Sequence, residues 1–165
     1  MILRCTSRLL DLIGEKSKFA DIEPSNEDWY GNAFWIDGRK CVLLVQVATL
    51  YSVLALDIRV GDLRPPGGFV FTQIVRALDR EGLPRNAFGG IDAHNVRLAR
   101  TMDRSVVGSM NDMVHLTRHI IGSTGGLAQC DPSEVHRLLH GTPNGARGYA
   151  TPLELVRANL ATPRP

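Results

Sequence analysis

The dipeptide Asp37-Gly38 lies between two apolar runs, and no other feature constrains the fold of this sequence as much. Both residue types accept positive φ angles, and a two-residue Asp-Gly loop is a strong signal of a tight β-hairpin. The sequence therefore predicts antiparallel strands at 33–37 and 40–46, followed by a third at 50–56. Residues 41–45 form an unbroken apolar run, as expected of a central strand that is buried on both faces.

Helical patterns dominate the second half of the chain. They predict helices at 69–80, 131–140 and 151–160, a short one at 8–13, and one that begins at Ser105 or Ser109 and ends at Gly122. Residues 1–5 and 95–101 have the pattern of short strands. In Asp131-Pro132 and Thr151-Pro152 a capping residue precedes a proline, which is typical of a helix start. Because strands come mostly first and helices later, we predict one α+β domain, 1–165, with an antiparallel sheet of three to five strands packed by about five helices.

Charge and composition exclude several functional classes. The net charge is +2 and the basic residues are spread along the chain, so nucleic-acid binding is not indicated. Apolar runs stay far below the ~20 residues that span a bilayer, and the N-terminus lacks the pattern of a signal peptide. We therefore expect a cytoplasmic protein that does not enter a membrane. The cysteines Cys5, Cys41 and Cys130 match no zinc or redox spacing, and no cofactor is indicated.

The start of the helix at 105–122 is the first candidate site. Free N–H groups and the positive end of the helix dipole suit an anion, and Arg104 would add a bidentate contact to phosphate or carboxylate. Ser105, Gly108 and Ser109 fall in the first turns, where the glycine would permit close approach of a ligand. The alternative is that these residues only cap and pack the helix. Arg147, in a glycine-rich loop, is a remote candidate for the same ligand.

Histidines recur at helical spacing, which raises the question of a metal site. Asp112, His115 and His119 share one helix face, but the glutamate that follows the first histidine of a zincin motif is missing. A solvated polar face is the stronger interpretation, and we predict no metal site, with His115 and His119 as the residues to examine. His136 and His140 repeat the spacing on the next helix. They would converge with His115 and His119 only if the two helices packed side by side.

Two aromatic residues at the end of a polar loop, Trp29 and Tyr30, are candidates for a surface that anchors a protein partner. Core packing is the alternative for this aromatic group as a whole, and it is the stronger interpretation for Phe34 and Trp35.

Four stretches carry a resemblance to a known family: MILRCT at 1–6, the block 29–44 with WIDGRK, LYS at 50–52 and RSVVGSMND at 104–112. The sequence resembles a family of small bacterial proteins known only as a domain of unknown function, and the likeness extends over nearly the whole chain. The resemblance implies a single domain of bacterial origin and transfers no catalytic residue. An accessory role in a mobile element or a toxin–antitoxin pair is a further hypothesis, which rests on this general resemblance and on no particular residue.

The sequence favours a binding or interaction protein whose partner is another protein or a small anionic ligand. Catalysis needs converging polar groups with matched roles, and no such set can be identified in the sequence. The competing hypothesis is an enzyme that acts on a phosphate- or carboxylate-bearing substrate in the same anion pocket. Asp112 or His115 would then serve as the acid–base group.

Overall fold

The computed structural model describes residues 1–14, 19 and 22–162, and its described strands form one sheet. The strands are β1 (Ile2–Cys5), β2 (Trp29–Ile36), β3 (Arg39–Gln46), β4 (Ser52–Ile58) and β5 (Arg97–Arg100). Their order across the sheet is β4-β3-β2-β1-β5, so that β4 and β5 are the edge strands.

The sheet is mixed, which confirms the α+β class but not the purely antiparallel pairing. β2, β3 and β4 are antiparallel as predicted, whereas β1 runs parallel to both β2 and β5. The prediction was wrong for β1 because a short N-terminal strand carries no signal of its partner. Its neighbours lie far along the chain, and a helix intervenes before β2.

The β2–β3 hairpin forms where the sequence predicts it. Asp37 and Gly38 have φ angles of 49° and 73°, and the pairing next to them is Ile36 with Arg39. Positive φ at both central residues matches the right-handed twist of the two strands, which is why Asp-Gly is favoured there.

Five α-helices are described: α1 (Ser7–Ile13), α2 (Pro66–Arg80), α3 (Arg104–Ser123), α4 (Pro132–Gly141) and α5 (Pro152–Ala161). The predicted starts of the last two are confirmed. Asp131 accepts a hydrogen bond from the Ser133 amide, and Thr151 forms a reciprocal capping box with Glu154. Within the described residues, no helix combines the length and apolar character needed to cross a membrane.

Apolar side chains bury both faces of the sheet. On one face α1 and α2 pack over Trp29, Leu44 and their neighbours, and on the other α3 and α4 pack over Tyr30, Leu43 and theirs. Successive residues of β3 therefore enter opposite cores, which explains its unbroken apolar run. The helices on the second face are the ones that position the candidate site.

A buried ion pair, which the sequence does not signal, holds β1 in place. Arg4 is 1% exposed, and its Nε lies 2.5 Å from the Asp28 carboxylate. Its other guanidinium nitrogens donate to the carbonyls of Ile22 and Arg100, so one side chain connects β1, β5 and the segment before β2. A charge buried this deeply is stable only when it is paired and hydrogen-bonded, as here.

Candidate functional site

A cavity of about 480 Å³ opens between α3, the C-terminal end of α4 and the connection to α5, and we call it the α3–α4 cavity. Its volume is within the range of small-molecule sites. It is lined by Ser105, Gly108, Ser109, Asp112, Met113, Leu116, Leu139, Thr142, Pro143, Asn144, Gly145, Ala146 and Pro152. The α3 residues in this set are spaced three or four apart, so the helix presents them along one side.

The start of α3 is fixed from the sheet by the side chain of Tyr30. Its hydroxyl accepts hydrogen bonds from the amides of Asp103, at 3.0 Å, and Met102, at 3.4 Å. The apolar stripe of α3, which includes Val106 and Met110, then packs on the same core as Tyr30. This packing leaves the flank with Ser105, Gly108, Ser109 and Asp112 along the cavity.

The polar groups that α3 contributes to the cavity have no partners among the described residues. Ser109 is only 7% exposed, but its hydroxyl oxygen stays accessible to solvent and makes no hydrogen bond there. The exposed Asp112 carboxylate has neither hydrogen bond nor ion pair there. Thr117 on the same helix shows the usual outcome, because its buried hydroxyl donates to the Met113 carbonyl at 2.8 Å. Buried hydroxyls are normally satisfied in this way.

Two polar side chains across the cavity already form hydrogen bonds within their own segment. The Thr142 hydroxyl donates to the Leu138 carbonyl at 2.6 Å, and the Asn144 side chain accepts from the Ala146 amide at 2.9 Å. The floor is apolar, with Met113 and Leu139 in the buried core. The cavity thus combines an apolar floor with side-chain oxygens of α3 that have no partner among the described residues.

The amides at the start of α3 are not open to an anion. The Asp103 carboxylate accepts from the amides of Ser105, at 2.8 Å, and Val106, at 3.3 Å, so a negative charge from the chain itself occupies this position. Arg104 is exposed and is not part of the cavity lining. The anion pocket predicted at this helix start is therefore replaced by an ordinary aspartate cap.

Arg147 also points away from the cavity. Its guanidinium donates to the carbonyls of Ala48, at 3.0 Å, and Val47, at 2.6 Å, which ties the connection between α4 and α5 to the turn after β3. Of the five residues that the sequence proposes as ligand contacts, three line the cavity, namely Ser105, Gly108 and Ser109. The two arginines do not, so the cavity lacks the cations that an anionic ligand needs.

The Asp112, His115 and His119 face does not converge. Both histidines are exposed on α3, and Asp112 lines the cavity without them. Among the described residues no three His, Cys, Asp or Glu side chains are grouped so that they could hold a metal ion.

His136 and His140 lie on the opposite side of α4 and are both buried against β4, so they do not meet the α3 pair. His140 Nδ1 lies 2.9 Å from the Glu81 carboxylate, and its Nε2 lies 2.6 Å from the Ser52 carbonyl. Each ring nitrogen thus faces a potential acceptor. The ring also stacks on Tyr51 at a centroid distance of 4.3 Å.

His136 is held in the neutral form. The Leu54 amide donates to Nε2 at 3.0 Å, and Nδ1 lies 2.7 Å from the Pro132 carbonyl, which assigns the proton to Nδ1. Burial lowers the pKa of His136 to about 4, and the Arg80 guanidinium acts in the same direction against the hydrogen bond to Pro132. The two histidines thereby contact the Leu54 amide and the Ser52 carbonyl on the outer edge of β4. These peptide groups would otherwise be open to pairing with another strand.

The hydroxyls of Tyr51 and Ser52, beside these rings, are buried without a hydrogen-bond partner among the described residues. Neither residue lines the α3–α4 cavity, so no ligand reaches them from there. An unpaired group indicates a binding site only where it faces a space that a ligand can enter.

A second groove, of about 680 Å³, follows the outer edge of β4 beside α2. Most of its charged groups have partners: Asp57 pairs with Arg39, Asp62 accepts from the Arg59 amide, and Arg64 donates to the Ile13 carbonyl. Three of its four charged side chains are thus engaged, while the side chains of Thr72, Gln73 and Arg76 have no hydrogen bond or ion pair among the described residues.

Trp29 and Tyr30 do not form a partner surface. Each is 1% exposed, on opposite faces of the sheet, so the expectation that they anchor a partner is wrong. The polar loop before them ends at the strand itself, and the alternation of β2 turns both rings into the cores.

Comparison with known protein families matches residues 2–155 to a domain of unknown function, DUF6933. The matched range contains α3, α4 and their connection to α5, which together form the cavity. No curated protein matches the chain.

Proposed function

The chain belongs to the family described as a domain of unknown function (DUF6933), and we propose that it is a binding module that holds a small amphipathic molecule in the α3–α4 cavity. One observation carries the proposal: Ser109, which is only 7% exposed, lines the cavity with a hydroxyl that has no hydrogen-bond partner among the described residues. A polar atom of a ligand would form a hydrogen bond with this hydroxyl, while the apolar floor would bury the rest of the molecule.

The lining supports binding better than catalysis. Asp112 is the one titratable side chain among the described lining residues, so no second group is placed to share proton transfer with it. Ser109 has no histidine or lysine beside it in the lining that could activate its hydroxyl as a nucleophile. An enzyme acting on phosphate or carboxylate groups is supported less, because Arg104 and Arg147 lie outside the cavity.

Gly108 offers a way to fill the cavity without harming the fold. A Cβ added there meets nothing within 4 Å, so a larger side chain enters the open space instead of displacing neighbours. Gly122, on the same helix but outside the cavity, is equally unobstructed and provides the matched control. Replacing either glycine by leucine removes the helix penalty of glycine, about 0.5–1 kcal/mol.

The test is a titration with 3-phenylpropan-1-ol, a neutral amphipathic probe, followed by the amide chemical shifts of the protein. We expect saturable shifts at α3 and at the connection from α4 to α5 in the wild type and in Gly122→Leu, with at least a tenfold loss of affinity in Gly108→Leu. Binding that survives unchanged in Gly108→Leu, or no saturable shift in the wild type, contradicts the proposed function.

A further inference from the structure

The charge of the α3–α4 cavity distinguishes between classes of ligand. Asp112 is the one charged side chain among the described residues that line it, and its carboxylate has no cation as partner there. The nearest helix start is closed to anions by Asp103, and the Arg147 guanidinium is committed to three backbone carbonyls. The cavity is therefore a site with one uncompensated negative charge.

Ser109 and Asp112 are placed to act on the same group of a ligand. They are three residues apart on one helix, so their side chains are neighbours, about 5–6 Å between Cβ atoms. Ser109 lies in the buried part of the cavity and Asp112 at its exposed rim. A protonated amine carries several N–H donors, and one of them can reach each oxygen group.

We infer that the ligand of this cavity is an organic cation, a protonated amine attached to an apolar body, with Asp112 as its counter-ion and Ser109 as its buried hydrogen-bond partner. The apolar body packs on Met113, Leu116 and Leu139, which supply the floor. This inference rests on the proposed function, because it specifies the chemistry of the ligand for the same cavity.

A series of three probes with one apolar body tests the charge. They are 3-phenylpropan-1-amine, 3-phenylpropan-1-ol and 3-phenylpropanoate, which differ at pH 7 in carrying a positive, zero or negative charge. Asp112 is exposed, so we expect the amine to bind about 3- to 10-fold more tightly than the alcohol, and the carboxylate more weakly than either. The preference should shrink at high salt, because salt screens an exposed charge.

Asp112→Asn should abolish the preference for the amine over the alcohol. Asp11→Asn, an exposed carboxylate on α1 outside the cavity, makes the same change in net charge and should leave the preference intact. If the alcohol binds and the amine binds no better, or the carboxylate binds best, the inference fails and the proposed function stands. If no probe responds to Gly108→Leu, the proposed function fails as well.

Discussion

α3 and α4 both carry polar side chains into the interior, but the two helices treat them in opposite ways. On α4, each ring nitrogen of His136 and His140 lies within hydrogen-bond distance of a backbone or carboxylate group. On α3, Ser109 is buried and Asp112 lines the same cavity, and neither side chain has a partner among the described residues. The fold alone explains the buried and hydrogen-bonded groups of α4, whereas the oxygens of Ser109 and Asp112 are accessible from the cavity and free to bind a ligand.

The two histidine pairs sharpen this contrast because their spacing is the same. His115 and His119 on α3 are exposed, while His136 and His140 on α4 are buried against the edge strand β4. The difference comes from which side of each helix faces the sheet. Spacing alone therefore does not distinguish an exposed histidine pair from a pair that hydrogen-bonds an edge strand. The two pairs can be told apart by replacing one histidine of each and measuring stability.

The largest effect is expected from His140→Leu, which would remove the ring that lies within hydrogen-bond distance of the Ser52 carbonyl and the Glu81 carboxylate. Because both lose a buried partner, the free energy of unfolding should fall by about 3 kcal/mol. Urea denaturation at pH 7 measures this loss. His119→Leu, which changes an exposed histidine at the equivalent spacing, should stay within about 0.5 kcal/mol of wild type.

A loss below about 1 kcal/mol in His140→Leu would show that the partnered side of α4 is not structural. The contrast between α3 and α4 would then not hold, because the hydrogen bonds of a buried side chain would no longer predict what it contributes to the free energy of unfolding.

Acid should weaken the α4 side through His136. Burial lowers its pKa from 6.5 to about 4. Between these pH values His136 is therefore protonated in the unfolded chain and neutral in the folded protein. The stability that neutral His136 contributes is complete above pH 6.5 and declines as the pH falls toward 4. The loss by pH 4 should be about 2–3 kcal/mol.

The measurement is the free energy of unfolding from urea titrations at pH 7, 5.5 and 4.5, in the wild type and in His136→Gln. Glutamine can still accept from the Leu54 amide but does not titrate, so the variant should lose less stability on acidification than the wild type. Equal losses in the two proteins would mean that other groups cause the acid sensitivity.

The sequence predicts features that depend on neighbouring residues. The Asp37-Gly38 hairpin and the helix caps at Asp131 and Thr151 are local, because the residues that determine them lie within four positions of one another. The parallel pairing of β1 and the Arg4–Asp28 ion pair join segments separated by long stretches of chain. No periodicity reports such contacts, so they appear only in the structure.

The candidate site was predictable in part for the same reason. Ser105, Gly108 and Ser109 share one side of α3, and helical spacing alone brings them together. The loop that completes the cavity comes from the connection between α4 and α5, which no pattern places against α3. The direction of Arg147 was equally hidden, because its partners are backbone carbonyls at Val47 and Ala48, a hundred residues earlier or nearly so.

The smallest effect on stability, and the most direct test of the contrast, is expected from Ser109→Ala. Its hydroxyl has no partner to lose and alanine is the better helix former, so the free energy of unfolding should be unchanged or rise by up to about 0.5 kcal/mol. Thr117→Val on the same helix removes a hydroxyl that does donate, to the Met113 carbonyl, and should cost about 1 kcal/mol. Urea denaturation of both variants at pH 7 measures the difference, and the amine probe should bind more weakly to Ser109→Ala than to Thr117→Val. If Ser109→Ala costs as much stability as Thr117→Val, the Ser109 hydroxyl stabilises the fold. The polar groups that α3 presents to the cavity would then not differ in role from those of α4.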